Sequence, residues 1–175
     1  YQRDYSWKQD QWEDLWADIL TILNGDSIHY MGSIVLQNKG DKTYSVIDGQ
    51  QRLSTLTLIV LATIKTIQTL IDKNIDPDNN KERVSLLTKK FIGDKDPGSL
   101  TYSAKLELNE NNNSFFQTHL MVFRQPLNEK TLGDSDRLLW QAYNFFLSKI
   151  TAHFHDNEQG EELANFLNKQ VAERM

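Results

Sequence analysis

From residue 46 to residue 53 the chain reads Val-Ile-Asp-Gly-Gln-Gln-Arg-Leu, an apolar strand-like run that passes through one glycine into a helical pattern. A helix starting at the end of a strand turns its first N–H groups, which have no intrahelical acceptor, toward solvent. The helix dipole makes that end attractive to anions. Gly49 allows a ligand close to the backbone, Gln50 and Gln51 offer neutral donors, and the Arg52 fork matches phosphate oxygens. Asp48 is unusual company for an anion. Its carboxylate makes sense as a helix N-cap, as a ligand for the Mg²⁺ that accompanies a polyphosphate, or as a group that orients water. The chemistry on offer is phosphate handling, with Asp48, Gln50, Gln51 and Arg52 as candidate catalytic residues and Gly49 and Arg52 as phosphate contacts. A plain capped turn with two exposed glutamines would give the same spacing, so spacing alone leaves the two readings level.

Other groups carry less. Trp7, Trp12 and Trp16 could stack on a base, but Trp12 and Trp16 fall four residues apart on an apolar helix face and read as core; Trp7 is left open. His153, His155, Asp156 and Glu158 are the one His-plus-carboxylate cluster, and a solvated helix end is the preferred reading over a metal site. Glu13, Asp14 and Asp18 do not converge on a helix. The Asn112-Asn113-Ser114 sequon reads as a polar helix start rather than a glycosylation site.

Around these residues the elements follow from periodicity. Trp12 to Leu23 is helical, with Asp10 and Glu13 resembling a capping box and Gly25 ending it. Tyr30 to Gln37 and Thr43 to Ile47 form a β-hairpin about the turn-rich residues 38–42. Gln51 to Asp72 is a helix that Leu58-Ile59-Val60-Leu61-Ala62 forces to be buried nearly all round. Polar breaks at Asp76 to Asn80 and Gly93 to Ser99 bracket a short helix, Glu82 to Phe91. Tyr102 to Leu108 alternates as a strand, and the apolar positions from Phe115 to Leu167 keep helical spacing.

Composition sets the outer limits. The 175 residues carry a net charge of −5 and no cysteine, so disulfides and thiolate metal sites are excluded and a reducing compartment, the cytoplasm, is expected. The acidic balance gives no general attraction to nucleic acid, so a nucleic-acid role needs a local patch. The apolar run inside residues 53–71 is interrupted by threonines, Lys65 and Gln68 and reads as a core helix, not a membrane span. The opening Tyr1-Gln2-Arg3 has no initiator Met or signal pattern, so the chain reads as a trimmed piece of a longer protein.

Three ordered blocks, Tyr1-Gln2-Arg3-x-Tyr5-Ser6-Trp7, His29 to Leu36 with Gly32-Ser33, and Val46 to Leu56 with Asp48-Gly49-Gln50-Gln51-Arg52, resemble the N-terminal domain of GmrSD-type, modification-dependent restriction enzymes. The resemblance is strong over residues 1 to about 70. It implies a ParB or sulfiredoxin-like fold, a nucleoside triphosphate with Mg²⁺ as ligand and cofactor, and sensing of modified DNA. It also implies that Tyr1, Gln2, Arg3, Gly32 and Ser33 join Gly49 and Arg52 around the phosphates, with Asp48 on the metal. The usual Ile-Pro lead is missing before Tyr1, and no His-Asn-His nuclease module is present.

The expectation is therefore an α+β protein: a small ParB/sulfiredoxin-like sheet, a buried central helix and a mostly helical C-terminal part. Residues 1–75 would form the DGQQR core, and residues 76–175 a strand plus helices packed on it, ending before any nuclease module. Its function would be nucleotide-binding and NTP-hydrolysing sensing in phage defence. Direct action on DNA by a ParB-like nuclease or DNA-binding domain, and a non-catalytic scaffold, are the alternatives.

Overall fold

The computed structural model describes residues 3–25, 28–155 and 160–175. Its elements run α1 (Gln9–Leu23), β1 (Val35–Gly40), β2 (Thr43–Asp48), α2 (Gln50–Asp72), α3 (Pro77–Leu87), β3 (Gly93–Lys95), β4 (Tyr102–Ala104), α4 (Glu110–Phe115), α5 (Asp134–His153), α6 (Gly160–Asn165) and α7 (Ala172–Arg174). The result is a helix-rich mixed α/β structure whose described strands form two separate antiparallel ribbons, β1–β2 and β3–β4.

Helix α2 is the axis. Every residue from Leu58 to Ile64 is buried, because α5, α3 and α6 all lie against it. Burial of a Leu or Ile there contributes roughly 1.5–3 kcal/mol. Thr63 is tolerated inside because its hydroxyl donates to the Ile59 carbonyl at 2.9 Å. Among the described residues α2 alone has the length and apolar composition of a membrane span, but its apolar side chains are the core of the fold. Trp12 and Trp16 join that core as expected.

Several boundaries differ from the periodicity. The first strand starts at Val35 and not at Tyr30; Gly32 adopts φ +87°, and the Met31 and Ser33 carbonyls are taken by a side chain described below. Helix α1 is capped by Gln11, whose Oε1 accepts the Lys8 N–H at 2.9 Å, rather than by Asp10 and Glu13. The polar break at residues 76–80 lies mostly inside α3, with Asp76 at the N-cap and Pro77 in the first turn, where proline needs no N–H acceptor. Gly93 to Lys95, expected as a break, pairs with residues 102–104, and the second strand stops there instead of at Leu108. The helix expected through Phe123 widens into a π-helical turn at Phe116–Leu120. Similar turns follow α3 at Thr88–Ile92 and α6 at Phe166–Val171.

The β1–β2 turn places Asp41 and Lys42 at φ +48° and +60°, the type I′ arrangement that matches strand twist. Glycine or asparagine is the usual occupant of such positions, and a lysine there costs roughly 1–2 kcal/mol.

Candidate functional site

Strand β2 ends at Asp48 and α2 starts at Gln50, so the junction is the single residue Gly49, at φ +90° and ψ +10°. A Cβ on Gly49 would lie 3.1 Å from the Ile34 side chain, so both the conformation and the space call for glycine. Gly49, not Asp48, is the N-cap. The Asp48 carboxylate accepts the Gly49 N–H at 2.8 Å through Oδ1 and is otherwise 72% exposed, with Oδ2 4.0 Å from Arg52 Nη2. The first acceptor bond of the helix runs from the Leu53 N–H to the Gly49 carbonyl at 3.0 Å. The N–H groups of Gln50, Gln51 and Arg52 therefore have no intrahelical partner and define the anion-attracting end.

The two glutamines do something the spacing did not show. Gln51 Oε1 accepts the Ser6 N–H at 2.8 Å while its Nε2 donates to the Asp4 carbonyl at 3.0 Å, so one amide imitates a neighbouring strand for the segment 4–6. Gln50 Oε1 accepts the Arg3 N–H at 3.0 Å, and its Nε2 donates to the Val46 carbonyl at 2.7 Å. Side-chain amides of the motif thus strap the N-terminal arm onto the start of α2.

Arg52 is likewise committed. Its Nη1 donates to the Met31 carbonyl and its Nη2 to the Ser33 carbonyl, the latter at 2.9 Å, and its side chain is 24% exposed. A Cβ at Gly32 would stand 1.9 Å from Nη1. Gly32 is there because the guanidinium needs the space, and Arg52 pins the loop before β1.

Arg3, Trp7, Ile47, Asp48, Gly49, Gln50, Gln51 and Arg52 line one open cleft of about 510 Å³, within the roughly 300–1,000 Å³ usual for small-molecule sites. Arg3 therefore lies beside Asp48 to Arg52 despite the sequence separation, and Trp7, half-buried against the core, lines the same space. Gly32 and Ser33 do not line it. They sit behind Arg52, and Gly32 faces a neighbouring apolar cleft with Met31, Leu56, Val60 and Leu167. Tyr1 and Gln2 lie outside the described residues, as do Asp156 and Glu158. Of the histidines near them, His153 packs edge-on against Trp16 and Phe154, and His155 contacts the Ala152 carbonyl at 2.7 Å. No metal-holding group of three His, Asp or Glu occurs among the described residues.

The family model for the GmrSD restriction endonuclease N-terminal domain matches residues 1–172. The chain belongs to this family. No curated protein matches it. Membership makes the chain part of a restriction, and hence phage-defence, protein, and it extends the resemblance seen in the first 70 residues through the last helices.

What holds the arm in this GmrSD N-terminal domain is a buried polar network that the sequence did not reveal. Tyr5 donates its N–H to Asn112 Oδ1 at 3.0 Å, its hydroxyl contacts Thr55 Oγ1 at 2.8 Å, and Trp12 Nε1 donates to that hydroxyl at 3.0 Å. Asn112 Nδ2 donates in turn to Ser135 Oγ at 2.7 Å and Asp136 Oδ1 at 2.8 Å. The Asp4 carboxylate accepts from Asn109 and Asn111. The sequon asparagine is thus a buried residue in a helix whose N-cap is Asn109. The density of asparagines at residues 109–113 was the available signal.

Burial pushes the Tyr5 hydroxyl up from 10.0 to about 12, against the lowering effect of its Thr55 and Trp12 partners. The folded state holds this proton more tightly than the unfolded chain, so the associated stability is complete below pH 10 and is lost as pH rises toward 12. About two units correspond to roughly 3 kcal/mol. Tyr143 is also pushed up by burial, so the check is a difference: urea unfolding of wild type and Tyr5→Phe from pH 9 to 12. The wild type should lose stability more steeply, and parallel curves would contradict the assignment.

Proposed function

We propose that the cleft at the start of α2 binds a nucleoside triphosphate with Mg²⁺, and that the domain couples nucleotide state, and hydrolysis, to recognition of DNA in phage defence. The observation that carries this reading is the convergence, around the unpaired N–H groups of Gln50 to Arg52, of an exposed carboxylate, Asp48, and an exposed cation, Arg3, whose side chain has no partner among the described residues. A polyphosphate between Arg3 and the helix end satisfies both.

The donor set fits Mg²⁺ held in the usual way, by one carboxylate together with phosphate oxygens and water rather than by an all-protein cage. Asp48 would hold it through Oδ2, Oδ1 being occupied by the Gly49 N–H. When bound, the ion would neutralise charge on the phosphates. Helix N–H groups and Arg3 bind the phosphates directly, the Trp7 ring offers a face to the base, and Asp48 orients metal or water. Gln50 and Gln51, both ends of whose amides are already bonded to backbone or arm, act by positioning Arg3 and Trp7. Arg52 acts through the loop it pins and through its remaining N–H edge. The strand-Gly-helix junction also supports kinship with the ParB/sulfiredoxin-like group. A cytoplasmic location and a nuclease module or subunit outside this chain complete the reading.

The test is thermal denaturation with each nucleoside triphosphate, with and without Mg²⁺, beside plain and modified DNA. A ligand of the native state at 100 times its dissociation constant stabilises by about 2.7 kcal/mol, so a Mg²⁺-dependent rise of several degrees with a triphosphate is expected. A rise with DNA alone would favour direct action on DNA, with cleavage lost in Asp48→Asn as its signature. No rise with either would leave a scaffold.

A further inference from the structure

Exposed large apolar side chains gather on one element. Ile34, Val35, Leu36, Tyr44 and Ile47 are 43% to 57% exposed, all in or beside the β1–β2 ribbon, of which Val46 alone is buried. The register pairs Leu36 with Val46 and Asn38 with Tyr44, with no shift between these pairs, so Leu36 and Tyr44 lie on the face of Val46. This apolar stripe is anchored on the body of the fold at Val46 and runs out into solvent beyond it. The two edges of the ribbon differ. The β2 edge is capped at its base, where Gln50 Nε2 donates to the Val46 carbonyl at 2.7 Å. No β1 backbone group bonds outside the ribbon among the described residues, so β1 presents an open row of N–H and C=O groups. A two-stranded ribbon on its own is marginally stable, whereas three or more strands with an apolar face are not.

We infer that a second copy of this chain docks on the ribbon, β1 edge against β1 edge across a two-fold axis, to give one four-stranded antiparallel sheet. Two copies of a strand related by a two-fold perpendicular to the sheet are antiparallel by symmetry, and their free backbone groups then meet one another. Such an axis keeps both bodies on the Val46 side of the sheet, so Leu36 and Tyr44 of each copy are enclosed between them. Charge favours the same partner. Residues 35–48 hold Lys39 and Lys42 against Asp41 and Asp48 and are neutral, whereas the whole chain carries −5, and two acidic molecules repel least where each is neutral. The area agrees. The five apolar side chains leave on the order of 500 Å² in water, within the roughly 300–600 Å² of the largest, often functional, patch on a monomer. The same patch on two copies makes about 1,000 Å², the lower limit for a specific interface, so the dimer should be reversible, with a dissociation constant of about micromolar order. Ile47 belongs both to this patch and to the lining of the cleft, so each cleft borders the interface. The inference does not depend on the nucleotide reading.

The experiment is sedimentation velocity of the whole chain without nucleotide, from about 1 to 200 µM, with amide hydrogen exchange at both ends of that range. The wild type should pass from monomer to dimer, and exchange at the β1 amides should slow as it does. Leu36→Glu/Tyr44→Glu sets like charges against each other within the apolar stripe and should raise the dissociation constant at least tenfold, about 1.4 kcal/mol. Leu127→Glu adds charge of the same sign at an exposed site outside the ribbon and should dimerise like the wild type. A wild type that stays monomeric at the highest concentration, a dimer whose β1 amides exchange as fast as in the monomer, a dimer that survives the double variant unchanged, or an equal loss in Leu127→Glu would each overturn the proposal. Should the double variant fail to fold, the concentration dependence of exchange in the wild type decides alone. Dimerisation of a chain that binds no triphosphate would sink the cleft reading and leave this one standing.

Discussion

Asn112→Ala should destabilise the protein by about 3 kcal/mol or more and detach the N-terminal arm from the cleft. The side chain is 1% exposed, its oxygen accepts from the Tyr5 N–H, and both amide hydrogens are spent on Ser135 and Asp136. Truncation leaves a buried N–H without an acceptor, at about 1–3 kcal/mol, and removes a donor from a carboxylate whose pKa burial already raises. The cavity left by the amide adds to both. Urea unfolding measures the loss, and amide hydrogen exchange at Tyr5 and Ser6 measures the arm, which should exchange quickly in the variant. Asn112→Asp should be worse at neutral pH, since it sets a third carboxylate beside Asp136 and Asp4. A loss under 0.5 kcal/mol with the arm still protected would mean that the network does not hold it.

Arg52→Ala should lower stability by about 2–3 kcal/mol and weaken nucleotide binding, although the sequence pattern places Arg52 in an exposed first turn where only binding would suffer. The side chain closes the Met31–Ser33 loop against α2. Removing it strips two carbonyls of a charge-assisted donor, each worth about 1.5–3 kcal/mol before water replaces part of the loss. Lysine cannot restore a fork that reaches two carbonyls. Gly32→Ala attacks the same contact from the other side, since its methyl would collide with Nη1. The two changes should therefore be strongly non-additive. Independent, additive effects in thermal unfolding would refute the shared contact.

The strand, the glycine junction and the buried helix after it were legible because each is specified locally: alternation, a breaker, and five successive apolar residues, Leu58 to Ala62, that permit no solvent face. Trp12 and Trp16 were legible as core for the same reason. What the sequence could not show is where an amide or guanidinium spends its hydrogen bonds. Gln50, Gln51 and Arg52 offer phosphate-binding chemistry by type, yet apart from the nearby Val46 carbonyl their partners are backbone groups 19 to 47 residues away, and nothing local encodes that distance. The same limit hid Asn112, whose partner is Tyr5, 107 residues earlier. Strand ends were misjudged where tertiary contacts override alternation: Tyr30 to Ile34 alternates well but bends at Gly32 to admit Arg52. The placement of Arg3 beside the motif came from family resemblance, not from spacing, and Trp7, left open by the sequence, lines the same cleft.

The most direct test of a Mg²⁺-triphosphate site is calorimetric titration of the wild type and Asp48→Asn with each triphosphate, with and without Mg²⁺. Asparagine can still accept the Gly49 N–H, so the melting temperature without ligand should not move, while the cleft loses its only exposed carboxylate among the described residues. The predicted result is Mg²⁺-dependent binding by the wild type and at least a tenfold loss, roughly 1.4 kcal/mol, in the variant. Binding by Asp48→Asn with unchanged affinity and unchanged Mg²⁺ dependence, or no triphosphate binding by the wild type, would contradict it.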